Sequence, residues 1–575
     1  MAERIREAKK PSSMVSGDIL PAVVNQMADN IAVPATRIFN LSLMTQTWPD
    51  DWKMETQTAI PKTHSPANYN ELRNISCTNF LSKILESFVL ERLQNEIELK
   101  YSQFGGVRGT GSSHLLIDTY QRVIDCLEQG KTAVSLISID FSKAFNRMCH
   151  YKCINELARQ GASTETIGMI GAFLTGRQMT VKVNSVKSAP RLVRGGSPQG
   201  TKLGNVLFAI VIEAIEEENH FLTREIPPSI TYPLPQAIHE RGTPRKRKRR
   251  LATTNPDNFD ASEFGMASTP VRGATADGVL RYHDVSGRGY ESEEYEFDLL
   301  LNEQPPPEWE RIPPWTIKYV DDLNAGQTHY LPSATSIFTT GRQTREIRAD
   351  DCERIFDIVK RNAAEIGMRV NDAKTQLVCI SPEAEAVRSF VQAGEETIMS
   401  GNAVKILGFM VGCNGGMHAH VEYIKKKFGK RIWTIIHLKR ANLSVDTLSK
   451  VYAATIRSVI LYAAQVYHCM LTEDLSEKLE RLQRLAMRII HPPGTSYRDA
   501  LTLSNLPRLS DMRTEMCKKF AKKTQLNPRY EHWFPKNPPN EHNLRHTLTY
   551  KEETARTERR RKSPVFYMRR VLNGL

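Results

Sequence analysis

Two apolar runs in this chain alternate as strand residues do, and acidic residues follow both runs. The first run, Val134–Ile139, is followed by Asp140. The second run, Trp315–Val320, is followed by the adjacent pair Asp321 and Asp322. Alternation of this kind predicts β-strands, and the second strand is predicted to end in a tight turn. The pattern therefore places three carboxylates at two strand ends.

Apolar residues at helical spacing predict helices elsewhere in the chain. One helix should carry Met148 to Arg159, and further helices should follow Gln199 and fill the C-terminal half, including a segment from Leu506 to Lys523. The helix after Gln199 has a predicted apolar face of Leu203, Leu207, Ile210, Val211 and Ala214. A second helix begins after an N-cap at Ser444, and its predicted apolar face is Leu448, Val451, Thr455 and Val459. A third runs from Asp474 to Ile490, is stopped by Pro492, and has a predicted apolar face of Leu475, Leu479, Leu482, Ala486 and Ile489.

The Asp321-Asp322 pair has two interpretations. Aspartate favours turns, so the pair alone is typical of an ordinary turn. Like charges this close repel, however, and a cation would neutralise them. Together with Asp140, the pair could hold two Mg²⁺ ions about 3.5–4 Å apart, the arrangement used for nucleotidyl transfer.

Short motifs along the chain occur in an order that resembles the reverse transcriptases of non-LTR (LINE-like) retrotransposons. The resemblance covers most of the chain apart from one central insertion. Each motif is weak alone, and the ordered series carries the signal. The motifs are 48–53, 59–62, 68–76, Gln103-Phe-Gly-Gly-Val-Arg108, Ile139-Asp-Phe-Ser-Lys-Ala-Phe-Asn146, Gly196-Ser-Pro-Gln-Gly200, Tyr319-Val-Asp-Asp322, 367–375 and Ile406-Leu-Gly-Phe409.

The resemblance implies roles for individual residues. Asp140, Asp321 and Asp322, joined by the backbone carbonyl of Phe141, match the metal ligands of the family. The implied cofactor is a pair of Mg²⁺ ions, with Mn²⁺ as an alternative. Lys374 resembles the general acid that protonates the departing pyrophosphate.

Other positions match groups that hold the substrates in this family. Arginine suits a triphosphate because its planar fork binds phosphate in a bidentate way, whereas lysine acts as a point charge. The implied contacts are Lys62 and Arg73 with the incoming triphosphate, Gln199 and Gly200 with the nascent base pair, and Leu407, Gly408 and Phe409 as the primer grip.

Phe145 lies five residues after Asp140, where the family carries an aromatic steric gate. A ring under the sugar would clash with a 2′-hydroxyl and so favour deoxynucleotides. The alternative is an ordinary core phenylalanine. The chain departs from the family pattern at Asn74, Asn146 and Asn205, and in the polar strand after Asp322. These departures indicate a divergent lineage or a decaying copy.

The resemblance implies an α+β, right-hand polymerase fold with a helical C-terminal region. The segment 221–314 is rich in Pro, Gly and charge, which is typical of a disordered insertion. The expected divisions are fingers at 1–130, palm at 131–220 and 315–415, the basic insertion at 221–314, a helical thumb at 416–495 and a basic C-terminal region at 496–575.

Charge supports a nucleic-acid partner. The chain has 78 Lys and Arg against 64 Asp and Glu, and such a surplus favours polyanions. The run Arg245–Arg250 is a nuclear localisation signal, an RNA-binding patch or simply a solvated loop, so the expected location is nuclear or cytoplasmic. No apolar run reaches the ~18–20 residues that cross a bilayer. Nine cysteines without paired spacing indicate reduced, structural thiols.

The leading hypothesis is an RNA-directed DNA polymerase that uses an RNA template, a DNA primer and dNTPs. No endonuclease motif is present in the sequence, so we expect a separate endonuclease to supply the primer if the element moves. Two alternatives stay open at this point. One is a decayed or domesticated nucleic-acid-binding protein that keeps the fold, and the other is an RNA-dependent RNA polymerase, which also has an Asp-Asp turn.

Overall fold

Strands and helices occur along the chain broadly as the hydrophobic pattern predicts. The computed structural model describes residues 1–8, 15, 18–61, 65–68, 71–130, 132–142, 144–183, 186–215, 313–320, 322–331, 345–383, 387–538 and 548–574. Backbone contacts divide the chain into two units, Met1–Ser229 with Glu310–Leu575, and Ile230–Trp309. All described residues belong to the first unit.

The strands form small sheets that are mostly antiparallel. Their bounds are β1 (Met54–Pro61), β2 (Leu72–Cys77), β3 (Thr132–Ile139), β4 (Gln178–Val183), β5 (Val186–Lys187), β6 (Arg191–Leu192), β7 (Trp315–Tyr319), β8 (Asp322–Tyr330), β9 (Arg345–Arg348), β10 (Gln376–Ile380), β11 (Val387–Ala393), β12 (Glu396–Met399), β13 (Ala403–Ile406) and β14 (Phe409–Gly412).

Helices account for most of the remaining described chain. Their bounds are α1 (Ala2–Glu7), α2 (Pro21–Gln26), α3 (Ala28–Thr45), α4 (Phe80–Glu96), α5 (Ser112–Glu128), α6 (Ala144–Arg147), α7 (His150–Arg159), α8 (Thr164–Leu174), α9 (Lys202–Ile215), α10 (Asp350–Glu365), α11 (His418–Arg440), α12 (Val445–Tyr452), α13 (Ser458–Ile460), α14 (Ala464–Tyr467), α15 (Glu473–Ile490), α16 (Tyr497–Leu503), α17 (Leu509–Thr524), α18 (Glu558–Arg561) and α19 (Pro564–Leu572). Short turns of 3₁₀ helix lie at Asp50–Lys53, Asp372–Lys374, His468–Met470 and Pro528–Trp533.

The central sheet has the order β10-β3-β8-β7, and every neighbouring pair is antiparallel. Its middle strand β3 is buried along nearly its whole length, because α5 and α10 pack against it. The predicted polar second strand, β8, is also buried from Leu323 to His329. Its polar residues therefore lie inside the sheet rather than in solvent.

A second sheet carries the N-terminal hairpin. Its order is β2-β1-β4-β5, with β6 paired to β4. The hairpin of β1 and β2 sets Ile60 opposite Arg73. A three-stranded sheet, β12-β11-β9, and the two-stranded hairpin β13-β14 complete the β-structure of the described chain.

Helix α9 is confirmed in position, but its predicted amphipathic character is wrong. Leu203 and the run from Val206 to Glu213 are all buried, on every side of the helix. The reason is tertiary: α4, α7 and α10 all pack against it. A helix enclosed by three others needs no polar face.

Two predicted faces in the C-terminal half need correction. Ser444 caps α12 as predicted, with its hydroxyl accepting from the Thr447 amide. A π-helical turn at Ala453–Arg457 then follows. The buried positions therefore recur every fourth residue, and Val451, Thr455 and Val459 are not buried. In the first face the buried residues are Leu448, Ser449, Tyr452, Ile456 and Ile460. On α15 the predicted Leu482 and Ile489 are not buried, and the buried residues are Leu475, Leu479, Glu480, Gln483, Ala486, Met487 and Ile490.

The coarse fold class, a mixture of helices and sheets, is confirmed. Residues 221–312 of the predicted insertion 221–314, including the basic run Arg245–Arg250, lie outside the described residues, so the expectations for them stay predictions. All nine cysteines are free thiols. Within the described ranges, no helix combines the length and apolarity that a membrane span requires.

Candidate active site

Two of the three predicted aspartates lie at neighbouring strand ends. Strands β3 and β8 pair antiparallel with Ile139 opposite Leu323. Asp140 follows the last residue of β3, and Asp322 is the first residue of β8. Because the strands run in opposite directions, the end of one lies beside the start of the other. The register therefore brings Asp140 and Asp322 to the same edge of the sheet; Asp321 lies outside the described residues.

The turn before Asp322 has a strained backbone. Tyr319 pairs with Asp322 across the hairpin, so only two residues connect β7 and β8. The first of them, Val320, has φ of 56°. A β-branched residue with positive φ is an outlier that costs about 1–3 kcal/mol and persists only when its surroundings impose it.

Gln103 supplies part of that constraint. It is fully buried, and its Oε1 accepts from the backbone amides of Gly105 at 2.9 Å and Val320 at 3.3 Å. A Cβ at Gly105 would lie 2.4 Å from the Val320 nitrogen, so only glycine permits this approach. The motif at Gln103 was visible in the sequence, but its contact with the hairpin was not.

Asp140 is held by the chain segment that also carries Lys374. The Asn371 amide donates to the Asp140 carbonyl at 2.7 Å, and Phe141 forms a bridge with Val370. The Lys374 Nζ lies 3.5 Å from Oδ2 of Asp140. The Phe141 side chain is buried, and the metal-ligand role of its carbonyl stays a prediction.

Phe145 lies on α6, directly after the Asp140 strand end. Its ring stacks on Phe208 of α9 with a centroid distance of 4.9 Å, and it is half-buried. The Ser197 amide donates to the Phe145 carbonyl at 2.8 Å. Gly196 has φ of 83°, and a Cβ there would lie 2.5 Å from the same carbonyl. The loop at 196–200 is thereby fixed against the Phe145 segment.

The same loop also contacts the N-terminal hairpin. The Ser76 amide of β2 donates to the Gln199 carbonyl at 3.0 Å. Gly200 has φ of 112° and lies against Ile75 and Ser76. The exposed Arg73 is on this strand, three residues earlier. The structure thus joins Arg73, Gln199 and Gly200 in one assembly, whereas Lys62 lies outside the described residues.

Leu407 and Gly408 form the two-residue turn between β13 and β14. Both have positive φ, 47° and 81°, as a type I′ hairpin turn requires. The Tyr462 hydroxyl donates to the Leu407 carbonyl at 2.5 Å. Phe409 is buried and stacks on His420 with a centroid distance of 3.9 Å. Strand β13 contacts β10 and β3, the strand that ends at Asp140.

His420 contributes an uncharged ring to this contact. Burial, followed by the nearby charge of Lys427, lowers the pKa of His420 to about 3. The imidazole is therefore neutral at physiological pH. Its Nδ1 accepts from the Met410 amide at 3.3 Å, which ties the start of α11 to the hairpin.

Two basic clusters of the C-terminal half have different environments. Arg484 pairs with Glu477 at 3.0 Å and lies over the Tyr497 ring, whereas Arg481 is exposed and lies 3.9 Å from the same carboxylate, and Arg488 is exposed. The cluster on α17 is exposed throughout and comprises Lys518, Lys519, Lys522 and Lys523.

Comparison with known proteins matches residues 60–223 to the family "Reverse transcriptase (RNA-dependent DNA polymerase)". The chain carries a reverse transcriptase domain. Asp140, Phe145 and Gln199 lie inside the matched segment. Asp322, Lys374 and the turn at Leu407 lie beyond it, on the far side of the insertion.

Several curated relatives contain similar segments. The chain is 28% identical over 178 residues to a probable RNA-directed DNA polymerase from transposon BS of Drosophila melanogaster, covering 30% of this chain and 19% of the relative. It is 30% identical over 170 residues to a retrovirus-related Pol polyprotein from the type-1 retrotransposable element R2 of Popillia japonica, covering 29% and 24%. A jockey polymerase of Drosophila funebris is 26% identical over 158 residues, covering 27% and 17%.

The matches thus span about a fifth of the length of these relatives, which belong to the non-LTR type that the reverse transcriptase domain resembles. Reverse transcriptases generally use divalent metals. In the described part of the chain, no group of three acidic, histidine or cysteine side chains converges on one point. Asp321, the third predicted ligand, lies outside the described residues. The donors that the structure places, Asp140 and Asp322, carry the oxygen ligands that hard cations prefer.

Proposed function

We propose that this chain is an RNA-directed DNA polymerase of a non-LTR retrotransposon, which extends a DNA primer on an RNA template. One observation carries the proposal most strongly: the β3–β8 register brings Asp140 and Asp322 to one edge of the central sheet. The reverse transcriptase domain and its relatives support the same activity. Against a decayed protein stands the retention of all three aspartates in the sequence.

The proposed architecture is a right hand. The N-terminal helices and the β1–β2 hairpin would act as fingers, and the central sheet would be the palm. Helices α11 to α15 would form the thumb, which begins at His418 next to the β13–β14 hairpin, and the helices after them would form the basic C-terminal region. The exposed lysines of α17 favour contact with a phosphate backbone, and affinity for duplex should therefore fall steeply with salt.

Asp140, Asp321 and Asp322, with the Phe141 carbonyl, would hold two Mg²⁺ ions. The fit rests on donor chemistry, because Mg²⁺ prefers carboxylate and carbonyl oxygens. When bound, these ions would supply charge stabilisation to the reacting phosphate and activate the primer hydroxyl. Lys374 lies 3.5 Å from Asp140, close enough to contribute positive charge to the same edge.

The remaining residues would position the substrates. Arg73 and Lys62 would bind the triphosphate, and the Arg73 strand would be aligned by its hydrogen bond to the Gln199 loop. Gln199 and Gly200 would lie against the nascent base pair. Lys374 would donate a proton to the departing pyrophosphate, and the Leu407–Phe409 turn would hold the primer end. Orientation of this kind can provide a large part of a rate enhancement.

Primer extension on an RNA template tests the proposal. Wild-type protein should incorporate dNTPs, and Asp322→Asn and Asp140→Asn should abolish the product while retaining duplex binding. Asp446→Asn is the matched control, because Asp446 is exposed on α12 and pairs only with Lys450. Product formed only with NTPs would instead establish an RNA polymerase. Duplex binding without any product would establish a non-catalytic protein.

A further inference from the structure

The C-terminal region contacts the segment that supports the catalytic hairpin. Arg529, in the 3₁₀ turn Pro528–Trp533, places Nη2 2.9 Å from the Lys100 carbonyl and 2.7 Å from the carbonyls of Tyr101 and Gln103. Its guanidinium also lies over the Tyr101 ring, 5.0 Å from the centroid. Within the described residues, these carbonyls rather than a carboxylate accept hydrogen bonds from the cation, all from Nη2, while Nε is buried without a hydrogen-bond partner.

Further contacts fix the same docking. The Tyr101 hydroxyl and His532 Nε2 lie 2.7 Å apart. His114 stacks on Tyr530 with a centroid distance of 4.5 Å and an interplanar angle of 13°. A Cβ at Gly109 would lie 2.7 Å from Nδ2 of Asn527, so the two segments approach closely. Residues 527–532 therefore contact the segment from Lys100 to Gly109 at both of its ends.

That segment is itself bound to the catalytic hairpin. The Lys318 amide of β7 donates to the Ser102 carbonyl, and the Phe104 amide donates to the Lys318 carbonyl, both at 2.8 Å. Gln103 then accepts from the Val320 amide at the strained turn, one residue before Asp321. A continuous series of hydrogen bonds thus runs from Arg529 through Gln103 to Val320.

We propose that Arg529 is a positioning residue, which sets the backbone geometry at Val320 through the backbone of Lys100–Gln103. The physical reason is that one charged nitrogen, Nη2, contacts three peptide carbonyls and so fixes their orientation through charge-assisted hydrogen bonds. Gln103 can hold Val320 in its strained conformation only if its own backbone is fixed. The inference rests on the proposed polymerase function for its kinetic consequence, but not for its structural one.

Hydrogen–deuterium exchange of the full chain tests the structural consequence. In Arg529→Ala, amides of 102–105 and 316–322 should exchange about 10- to 100-fold faster, the range expected for losing charge-assisted bonds. Peptides of β10 should be unaffected. Arg529→Lys should restore part of the protection because it keeps the charge. Arg498→Ala, which removes an exposed arginine of the same region, is the control and should match wild type.

Single-nucleotide incorporation tests the kinetic consequence. Arg529→Ala should lower kcat on the order of 100-fold, the cost of a displacement of about 1 Å at a reacting centre, while KM for dNTP and duplex affinity change little. Gln103→Ala should act similarly, and the double variant should be no worse than either single variant, because both act through one path.

Three results would overturn the inference. They are faster exchange confined to 528–533, loss of protection throughout the protein including β10, and additive kinetic effects of the two substitutions. If wild type makes no DNA, the proposed function fails, and the exchange experiment still decides the role of Arg529.

Discussion

Replacing Arg177 by methionine should destabilise the sheet that carries the β1–β2 hairpin. Arg177 is 1% exposed and precedes β4, which pairs with β1. Its Nη2 lies 3.7 Å from Oε2 of Glu55, a distance typical of an ion pair rather than a hydrogen bond. Its Nη1 donates to the Phe173 carbonyl at 3.2 Å. Methionine keeps most of the volume but removes the charge.

The magnitude follows from what the substitution leaves behind. Glu55 would keep only Gln57 and Ser76 as donors, at 3.0 and 3.4 Å, and would stay buried. Removing one partner of a buried pair costs about 3–5 kcal/mol, because the other charge is uncompensated. Glu86 is also buried, and Arg177 is the main group that lowers its pKa. The loss should therefore be larger at pH 8 than at pH 5, where the protonated Glu86 carboxyl needs no cation.

Urea denaturation followed by tryptophan fluorescence measures the effect, since Trp48 packs on Phe173 with a centroid distance of 5.1 Å. Arg191→Met, an exposed arginine on β6 of the same sheet, should change the unfolding free energy by no more than about 0.5 kcal/mol. Adding Glu55→Gln to Arg177→Met should recover much of the loss. A loss below about 1 kcal/mol, as for a surface pair, would refute the reasoning.

Three further predictions concern the gate, a buried acid and the C-terminal tail. Phe145→Val should raise ribonucleotide incorporation relative to deoxynucleotide, measured by primer extension with each substrate; unchanged selectivity would show that the ring only packs on Phe208. Burial raises the pKa of Glu86 from 4.5 to about 7. The contribution of Glu86 to the free energy of unfolding is therefore full below pH 4.5 and is lost as the pH rises through 7. Glu86→Gln should remove about 3 kcal/mol of this pH dependence in unfolding titrations, and an unaltered pH profile would contradict the prediction. Glu128 accepts hydrogen bonds from the amides of Arg556 and Thr557. Glu128→Gln should therefore lower the free energy of unfolding by about 1.5–3 kcal/mol and make residues 548–574 more sensitive to limited proteolysis. Glu558→Gln, on the exposed side of α18, is the control and should have neither effect.

Some of the site was predictable because its signals are local. The strands that precede Asp140 and the Asp321-Asp322 pair follow from alternation over a few neighbouring residues, and the N-cap at Ser444 follows from one side chain. The faces of α9 and α12 were not, because burial depends on which helices surround them and on a π-helical turn that shifts the phase.

The sequence by itself determined the kinds of elements, the chemistry of the candidate ligands and the family that the motif order resembles. Only the tertiary structure decided that Asp140 and Asp322 meet, that Lys374 lies beside Asp140, and that Gln103 and Arg529 support the hairpin. The physical reason is separation along the chain. Gln103 is 217 residues from Val320 and 426 from Arg529, and contacts at such distances depend on how backbones pack, which no local period encodes.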